Sequence, residues 1–478
     1  MIHPIRLRQR AAAVTAIAAW VTACSPDTPI GDAQRTALFH RGPSQSAAEA
    51  AAQPASLLPK GATPWWKSFD DRVLNRLVDT ALEKNFRLDQ VASRVLQADA
   101  ELRKARGRLF PTLDGSGRVE KRWVDSDLID SSDSTRSASL AGLLSWEIDV
   151  WGRLRNAVAD RTFERAAAVA DWHGARLILS AAVTEVYFEI LEQQQQLRLI
   201  NEQITTGETL LGLTELRFGQ AQSSIVDVLQ QREQLAGTRA LVPTVEARLR
   251  RLELALDALL ARAPGSGTSV RFRPLSPPPE GLDAGIPSDL LRNRPDLVAA
   301  HLRLAAVDAG IAEAVADRLP RFTIGAVGSA AGNPSIDNLV ATAFAAVAAP
   351  IFDGGERKAE VDRRRAVYRE TMSIYSQLYL DAVRDVTTAL VLERQQGERI
   401  RLLEDQLDTA QSLLKETRNR YSQGLTDYLP VLAAVTTEQN LQREIVTSRR
   451  EWISFRIALH RSLGGPVGGE FEPPGETE

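Results

Sequence analysis

The sequence holds a single cysteine, Cys24, among its 478 residues. One cysteine can form no intrachain disulfide, and it cannot by itself build a thiolate site for zinc or an iron–sulfur cluster. The five histidines are scattered, and none stands in an HExxH pair or at another metal-ligand spacing. A phosphate-binding loop and a GxSxG nucleophile elbow are also absent from the sequence. We therefore predict no catalytic residue, no metal site and no bound cofactor, which leaves covalent modification as the chemistry open to Cys24.

The segment before Cys24 has the pattern of an export signal. Residues 1–10 contain three arginines and no acid, and residues 11–21 form an apolar run too short to span a bilayer. The run ends in Val21-Thr22-Ala23-Cys24, which resembles the lipobox of bacterial lipoproteins, whose cysteine is acylated and becomes the first residue of the mature protein. We predict a signal peptide at 1–23 and a lipid on Cys24. The alternative is an ordinary secretory signal with an incidental cysteine.

The residues after Cys24 extend this prediction. Residue 25 is Ser25 rather than an aspartate, and the same resemblance then favours the outer membrane over retention in the inner membrane. Two or three acyl chains would hold the protein on a membrane, since each buried methylene contributes about 0.8 kcal/mol. Residues 24–64 are rich in Ala, Pro, Ser and Gln, which indicates an acylated N-terminal tether of low order.

The composition excludes several classes of protein. The 58 basic and 61 acidic residues are spread along the chain and give a formal charge of -3, so there is no basic footprint for nucleic acid. Hydrophobic residues make up 44% and charged residues 25% of the chain, as in ordinary soluble proteins. No stretch of about 20 apolar residues is present, which excludes a helical membrane protein.

The sequence after the predicted tether contains a pattern that repeats at an offset of 203 residues. The matching anchors are 148–153 with 351–356, 183–184 with 386–387, 201–204 with 404–407, 217–218 with 420–421, and 228–229 with 431–432. Anchors that share one offset indicate a tandem duplication, in which both halves have the same architecture. We assign the regions as a first repeat at 65–263, a Pro-rich insert at 264–287, a second repeat at 288–465 and a C-terminal tail at 466–478.

Each half contains one long segment without proline, 154–218 or 356–420, with apolar residues at helical spacing. Each segment predicts a helix of about 65 residues, roughly 97 Å long. Shorter helices are predicted at about 71–108, 224–262, 288–318 and 427–463, so that a stacked pair would run beside each long helix. Apolar residues on more than one face favour a helix in the wall of a helical barrel over a solvated coiled-coil hairpin.

Between the short and the long helices the pattern changes to alternation with period two. Four strands are predicted in two hairpins, at about 112–122, 137–148, 321–330 and 339–351. Their length suits tilted strands that cross a bilayer, and a soluble four-stranded sheet is the alternative. Because open sheet edges in lipid leave backbone groups unpaired, subunits would have to pool their strands. Two subunits give eight strands around a filled interior and three give twelve around a lumen, and this arithmetic leaves the number open.

A set of short motifs resembles the outer-membrane factor (TolC-like) family, and within it the lipoprotein branch (NodT/OprM-type) found with resistance–nodulation–division efflux systems. The motifs are WWKSFDD at 65–71, LFP at 109–111, WEID and GR within 146–153, RPDL at 294–297 and FDGG at 352–355. The similarity covers about residues 60–465. It implies a mainly α protein with a small transmembrane β part: a homotrimer with long antiparallel helices in an α-barrel and a shared twelve-stranded β-barrel.

The resemblance also implies a function. Such proteins are passive exit ducts of tripartite efflux systems, which receive substrates from an inner-membrane resistance–nodulation–division pump and a periplasmic adaptor (membrane fusion) protein. The expected location is the outer membrane of a Gram-negative bacterium, with a lipid anchor and an extension into the periplasm. The alternatives are the outer-membrane component of a type I secretion system and a non-channel periplasmic coiled-coil lipoprotein.

By the same resemblance, the helix tips match residues 217–227 and 420–430. Glycines in both tips would ease the chain reversal, and short polar side chains would cap helices or bind an adaptor hairpin. The tip residues predicted on this basis are Gly219, Ser223, Ser224, Gly424, Thr426 and Asp427.

Members of the family often place an apolar ring and an acidic ring just past the second tip. Leu429 matches the apolar position, but Ala433 stands where the acid is expected. Either Asp427 or Asp408 replaces that acid, or the acidic ring is absent. We predict that Leu429 and Asp427 contribute to a closed gate.

Overall fold

The computed structural model describes residues 63–126, 131–279, 290–332 and 338–471, without the side chains of 124–126 and 131–135. The predicted signal peptide, Cys24 and nearly all of the predicted tether lie outside the described residues. Within them the chain is mainly helical and has one four-stranded antiparallel sheet, which confirms the predicted fold class.

The two repeats contain corresponding elements. The first has a 3₁₀ helix (Trp65–Phe69), α1 (Arg72–Lys84), α2 (Phe86–Gly107), β1 (Thr112–Ser126), β2 (Ser131–Ile148), α3 (Arg153–Gly219) and α4 (Ile225–Leu259). The second has α5 (Leu290–Asn293), α6 (Pro295–Ala316), β3 (Arg321–Gly332), β4 (Asn338–Ala348), α7 (Glu356–Ser422) and α8 (Tyr428–Ser462).

Helices α3 and α7 are each 67 residues long, which confirms the two long helices. Each extends about 100 Å at 1.5 Å per residue. Each follows a glycine in the left-handed conformation, Gly152 at φ 80° and Gly355 at φ 91°. An aspartate just before that glycine accepts hydrogen bonds from the first turn: Asp149 from the N–H groups of 154 and 155, and Asp353 from those of 355 and 357. These carboxylates stabilise the positive helix ends.

Two of the predicted short helices are each broken in two. Asn85 separates α1 from α2, because its backbone is extended and its side chain accepts hydrogen bonds from the N–H groups of Arg87 and Leu88. Arg294 separates α5 from α6, because the following Pro295 disfavours the helical conformation at the residue before it. The predictions of continuous helices at 71–108 and 288–318 were therefore wrong.

The helices form a single layer, which we call the wall. Near the sheet, α2, α3, α6 and α7 pack side by side in that order. Further from the sheet the order is α4, α3, α8 and α7. Each long helix runs beside its own short helices, as predicted, and α6 and α8 also pack on α3. The second repeat is thereby joined to the first along the whole length of α3.

The kinds of residue that pack against α3 change along its length. Near the sheet, alanines allow α3 and α6 to approach closely; the buried alanines are Ala159, Ala166, Ala167, Ala170, Ala299, Ala306 and Ala309. Midway, the largest core cluster surrounds Trp65 and Trp66, where the 3₁₀ helix meets α1, α3, α8 and the C-terminal segment. The indole N–H of Trp65 donates to Ser180 Oγ at 3.1 Å.

An extended strap, residues 264–279, crosses the wall at this level. Its backbone is hydrogen-bonded by side chains of α3: Gln194 donates to the Val270 carbonyl at 2.8 Å, and the Leu275 N–H donates to Gln195 at 3.3 Å. Arg273 of the strap lies 3.3 Å from Asp71, which also accepts from the Tyr187 hydroxyl at 2.6 Å. Residues 280–287 of the predicted Pro-rich insert lie outside the described residues.

The sheet has the order β1-β2-β3-β4, with every neighbour antiparallel. Its register places apolar or small residues from all four strands on one face, including Leu113, Leu144, Ile324 and Val347. The opposite face carries the polar side chains; on β1 these are Thr112, Asp114, Ser116, Arg118, Glu120 and Arg122. A sheet that is apolar on one face and polar on the other suits lipid on one side and water on the other.

The first hairpin is longer than predicted. Strands β1 and β2 have 15 and 18 residues, whereas β3 and β4 have 12 and 11. Residues between the predicted strands 112–122 and 137–148 are therefore strand as well, as the pairing of Asp125 with Ser132 shows, and residues 127–130 lie outside the described residues. In the described part of the chain, every helix is too short or too polar to cross a lipid bilayer.

An ion-pair network joins the wall to the sheet. Asp317, just after α6, binds Arg357 of α7 at 3.2 Å and also binds Arg321 of β3. Arg153 of α3 binds both carboxylate oxygens of Glu147 at 2.8 Å and lies 4.0 Å from Asp317. Because the network includes residues of both repeats, it holds the two hairpins in a common position above the helices.

Candidate gate at the helix tips

The α3–α4 and α7–α8 connections reverse the chain with the same turn. In the first, the N–H of residue 222 donates to the Arg217 carbonyl at 2.8 Å. In the second, the N–H of Leu425 donates to the Arg420 carbonyl at 2.9 Å. This is the Schellman arrangement, which needs a left-handed residue one position earlier. That residue is Ala221 at φ 58° in the first tip and Gly424 at φ 74° in the second.

The prediction that glycines reverse the chain is confirmed for Gly424 and wrong for Gly219. Gly219 is the last residue of α3 and is not among the residues with positive φ. The reversal occurs two residues later, at Ala221, because the helix continues to Gly219 before the Schellman bonds form. The repeat offset of 203 pairs Gly424 with Ala221, so the sequence does carry a signal for the position of the reversal in the first tip.

The predicted polar residues of the first tip make local hydrogen bonds. Ser224 caps α4 by accepting from the Val226 N–H at 3.1 Å, and its own N–H donates to Asp227 at 3.2 Å, which completes a capping box. The Ser223 hydroxyl donates to the Thr214 carbonyl at 3.3 Å. Capping is thus an observed role of Ser224, while contact with an adaptor stays a prediction for both serines.

The predicted polar residues of the second tip are arranged differently. Asp427 takes the N-cap position of α8, but its side chain forms no capping hydrogen bond and is exposed. Thr426 beside it is half-buried. An exposed carboxylate at a helix N-terminus is available to a partner, whereas the equivalent Ser224 is occupied by its own helix.

A group that the sequence analysis missed ties the second tip to the first. Tyr421 and Tyr428 are 7% and 1% exposed, and their rings lie 5.3 Å apart at 60°. Arg217, in the last turn of α3, stacks over the Tyr421 ring at 4.4 Å and donates to the Tyr421 carbonyl at 3.0 Å. We call Arg217, Gln231, Tyr421 and Tyr428 the tip latch. The signal for it was the change of Ile225 in the first repeat to Tyr428 in the second.

Gln231 completes the tip latch on α4. The Tyr428 hydroxyl donates to Gln231 Oε1, and Gln231 Nε2 donates to the Gly207 carbonyl of α3 at 2.9 Å. Burial, with a smaller contribution from Tyr421, raises the pKa of Tyr428, so that its hydroxyl stays protonated and donates. The latch therefore connects all four tip helices of one protomer.

The predicted gate residues lie at the exposed end of α8. Leu429 is 59% exposed and two residues from Asp427, and Leu425 in the turn before them is 70% exposed. Ala433 is exposed too and provides no carboxylate. Asp408 lies 14 residues before the end of α7, about 20 Å from the tip at 1.5 Å per residue. Of the two candidate acids, only Asp427 is positioned beside Leu429, and a gate there stays a prediction.

Two histidines lie in the wall rather than at a site: His460 is buried and His173 is half-buried. Burial lowers the pKa of His173 and of His460 to about 4, with nearby Arg176 and Arg456 adding to the effect. Both imidazoles are therefore neutral near pH 7. Within the described residues, no three His, Cys, Asp or Glu side chains come together as metal ligands would.

The fold and the tips together define a class of protein. A helical wall about 100 Å long, with an amphipathic sheet at one end and latched tips at the other, is a subunit of a channel that extends from a membrane. The sequence profile of the outer membrane efflux proteins matches residues 77–262 and 286–465. The chain therefore belongs to the outer membrane efflux protein family.

Individual relatives agree with this assignment. The chain is 30% identical over 417 residues to the pyoverdine export outer membrane protein OpmQ of Pseudomonas putida, covering 84% of this chain and 87% of the relative. It is 28% identical over 428 residues to the toluene efflux pump outer membrane protein TtgI of Pseudomonas putida, covering 86% and 88%. The solved outer-membrane channel OprN has the same fold, with a TM-score of 0.80 at 24% identity over 93% of this chain and 99% of that one. VceC of Vibrio cholerae also shares it, with a TM-score of 0.77 at 24% identity over 85% and 100%.

Membership of the family confirms the predicted function and location. The chain is an outer-membrane efflux channel of a tripartite system in a Gram-negative bacterium, with its helices in the periplasm. The family and these relatives are efflux proteins, not enzymes.

Proposed function

We propose that three copies of this chain form a passive exit duct, which opens at the tips when a periplasmic adaptor docks and which receives substrates from a resistance–nodulation–division pump. The observation that carries the proposal is the position of the unpaired edges. In the sheet they are β1 and β4, and in the wall they are α2 with α4 on the β1 side and α7 on the β4 side.

A ring of copies pairs all these edges at once. Joining β4 of one copy to β1 of the next supplies the hydrogen bonds that an edge strand in lipid lacks. The same step brings α7 against α2 and α4 of the neighbour. Exposed apolar side chains on α7 support this contact: Ile374 is 59%, Leu380 61% and Val391 54% exposed. Burying them would contribute about 25 cal/mol for each Å² of apolar surface.

Three is the smallest number of copies whose pooled strands leave a lumen. Eight pooled strands enclose an interior that side chains fill, whereas twelve leave a passage. The polar face of the sheet, with Asp114, Arg118 and Glu120 on β1, would line that passage and suits water rather than lipid.

The tip is proposed to be closed by Leu429 and Asp427 from each copy. Both are exposed in one protomer and lie within one turn of α8. Three copies would bring these side chains into rings around the axis, where adaptor docking would separate them. Gly219, Ser223, Ser224, Gly424 and Thr426 are the other tip residues proposed to face the adaptor.

Native mass spectrometry and single-channel recording test the duct and its gate separately. We expect a mass of three protomers, and a dimer would overturn the proposal. The double variant Leu429→Ala, Asp427→Asn should raise conductance in planar bilayers. The matched control is Val226→Ala, since Val226 is the repeat equivalent of Leu429 and is 52% exposed. If the double variant conducts no more than this control, the gate assignment must be dropped.

The lipid on Cys24 is proposed from the sequence around it. In cells fed labelled palmitate, the wild-type protein should take up the label, and a Cys24→Ser variant should not. Labelling of the variant would contradict acylation at this thiol.

A further inference from the structure

The outward face of the first hairpin carries a basic pair above its apolar band. This face holds Leu113 and Val119 on β1, which are 76% and 86% exposed. Two residues beyond Val119 on the same face comes Lys121, and its register partner on β2 is Arg136. Both basic side chains are exposed.

The pair stands at the outer boundary of the membrane, provided that the sheet closes into the barrel of the proposed function. Lys121 is eight residues above Leu113, about 20 Å along the membrane normal for a strand tilted by about 40°. The apolar band of such barrels is about 25 Å tall and ends in aromatic side chains. Trp123 supplies that aromatic residue: it is 69% exposed, and Lys121 Nζ lies 4.4 Å from its ring centroid.

Two like charges directly opposite each other on neighbouring strands destabilise a sheet. On the inner face of the same hairpin, by contrast, Arg122 binds Glu120 at 3.4 Å. Among the described side chains, no carboxylate lies within ion-pair distance of Lys121 or Arg136. A pair of cations with no carboxylate partner among the described side chains, at headgroup depth and beside a tryptophan, suits an anion from outside the chain.

We propose that Lys121 and Arg136 bind a phosphate group on a lipid of the outer leaflet. Lys121 provides a point charge and Arg136 a planar fork of donors, which together suit a phosphate monoester. Trp123 packs against the sugar or acyl part of the same lipid. In the second hairpin the last described residue of β3, Gly332, lies opposite Ala138, two residues below Arg136 on β2. The site is therefore proposed on the first hairpin.

The test is binding of bis-phosphorylated lipid A to the purified full-length protein in phosphatidylcholine nanodiscs. The variant Lys121→Gln, Arg136→Gln should bind about 30-fold more weakly than the wild type. The control Glu120→Gln, Arg122→Gln removes an ion pair of the inner face of the same hairpin and should bind normally. Inorganic phosphate at the same concentration should not compete, since the site is proposed for the lipid.

Three results would overturn the proposal: normal binding by the Lys121→Gln, Arg136→Gln variant, equal loss in the control, or equal binding of dephosphorylated lipid A. Oligomer mass and conductance of the variant are measured alongside. If the variant has normal oligomer mass and conductance, a negative binding result contradicts only the proposed lipid site. If the wild-type protein itself forms no channel, the proposed duct is contradicted instead.

Discussion

Helices α3 and α7 have the same length and matching places in the repeat, yet 28 residues of α3 are buried and only 11 of α7. The difference follows from position. Helix α3 lies in the middle of the wall, with α2 and α4 on one side and α6 and α8 on the other, whereas α7 is at its edge. Two copies of one ancestral helix have thus come to serve as an internal support and as a surface for another subunit.

Single positions have diverged in the same way. At the repeat offset of 203, Ile190 corresponds to Glu393, Ile225 to Tyr428, Asp257 to His460 and Ala221 to Gly424. Each pair places two chemically different residues at one structural position, so each allows the comparison between the halves to be tested.

The pair Ile190 and Glu393 should show the largest effect. Ile190 is fully buried among apolar residues, whereas Glu393 is buried in an ion pair with Arg456, which also donates to the Pro279 carbonyl. Glu393→Ala leaves Arg456 buried without its anion and should lower the free energy of unfolding by about 4 kcal/mol. Guanidinium unfolding in detergent micelles measures this. The double variant Glu393→Ala, Arg456→Met should recover most of the loss, and equal destabilisation of both variants would contradict the argument.

The pair Ile225 and Tyr428 compares the two tips. Tyr428→Ala empties a fully buried site and removes the partner of Gln231, which should cost about 3 kcal/mol. Ile225→Ala removes a side chain that is 48% exposed and should cost less than about 1 kcal/mol. Hydrogen exchange at the tip residues should quicken in the first variant and stay unchanged in the second. Equal exchange would show that the tip latch does not hold the tips together.

The contributions of Asp257 and His460 to the free energy of unfolding should be lost in different pH ranges. The pKa of His460 is about 4 in the folded state against about 6.5 unfolded. The unfolded chain therefore binds a proton as the pH falls below about 6.5 and the folded chain does not, so stability is full above that value. Between pH 7 and pH 5 His460 should account for a loss of about 2 kcal/mol, and His460→Gln should remove this part, while His173, whose pKa is also about 4, adds a similar part that remains.

The contribution of Asp257 is also lost as the pH falls, but in a lower pH range. Burial alone would raise the pKa of its carboxyl, but hydrogen bonds from Thr268 at 2.5 Å and from the Gly265 N–H at 2.9 Å lower it. Its contribution is thus present above about pH 4 and is lost as the pH falls further. Asp257→Asn should leave the difference between pH 7 and pH 5 unchanged. If it instead removes that difference, the loss belongs to Asp257 and not to His460.

The pair Ala221 and Gly424 should show the smallest effect. A left-handed backbone costs an alanine about 1 kcal/mol more than a glycine. Ala221→Gly should therefore stabilise the protein by about that amount, and Gly424→Ala should destabilise it. Ala236→Gly, at an exposed helical position of α4, should lower stability by about 1 kcal/mol. Thermal unfolding of the three variants compares them, and a loss of stability in Ala221→Gly would refute the shared turn.

Much of the architecture was predictable because its signals are local or periodic. The long helices follow from segments without proline, the strands from alternation, and the matching halves from the constant offset of 203. The breaks at Asn85 and Pro295 have local causes too, a capping side chain and a proline, and were overlooked rather than hidden. Gly219 was misplaced because residue type was given more weight than the offset.

Other features depend on contacts between segments far apart in the sequence. Tyr428 packs against Tyr421, over whose ring Arg217 stacks, and the Tyr428 hydroxyl donates to Gln231. Periodicity in the sequence gives no information about such partners. The packing of α6 and α8 on α3 likewise depends on the second repeat folding against the first.

The sequence by itself determined the family, the duplication and the kinds of element, because these depend on periodicity, composition and short motifs. Only the tertiary structure decided which of two equivalent helices is buried, which tip residue is left exposed and which charges find no partner. The physical reason is that burial and pairing are properties of neighbours in space, and two repeats with one pattern acquire different neighbours when one is placed inside the wall and the other at its edge.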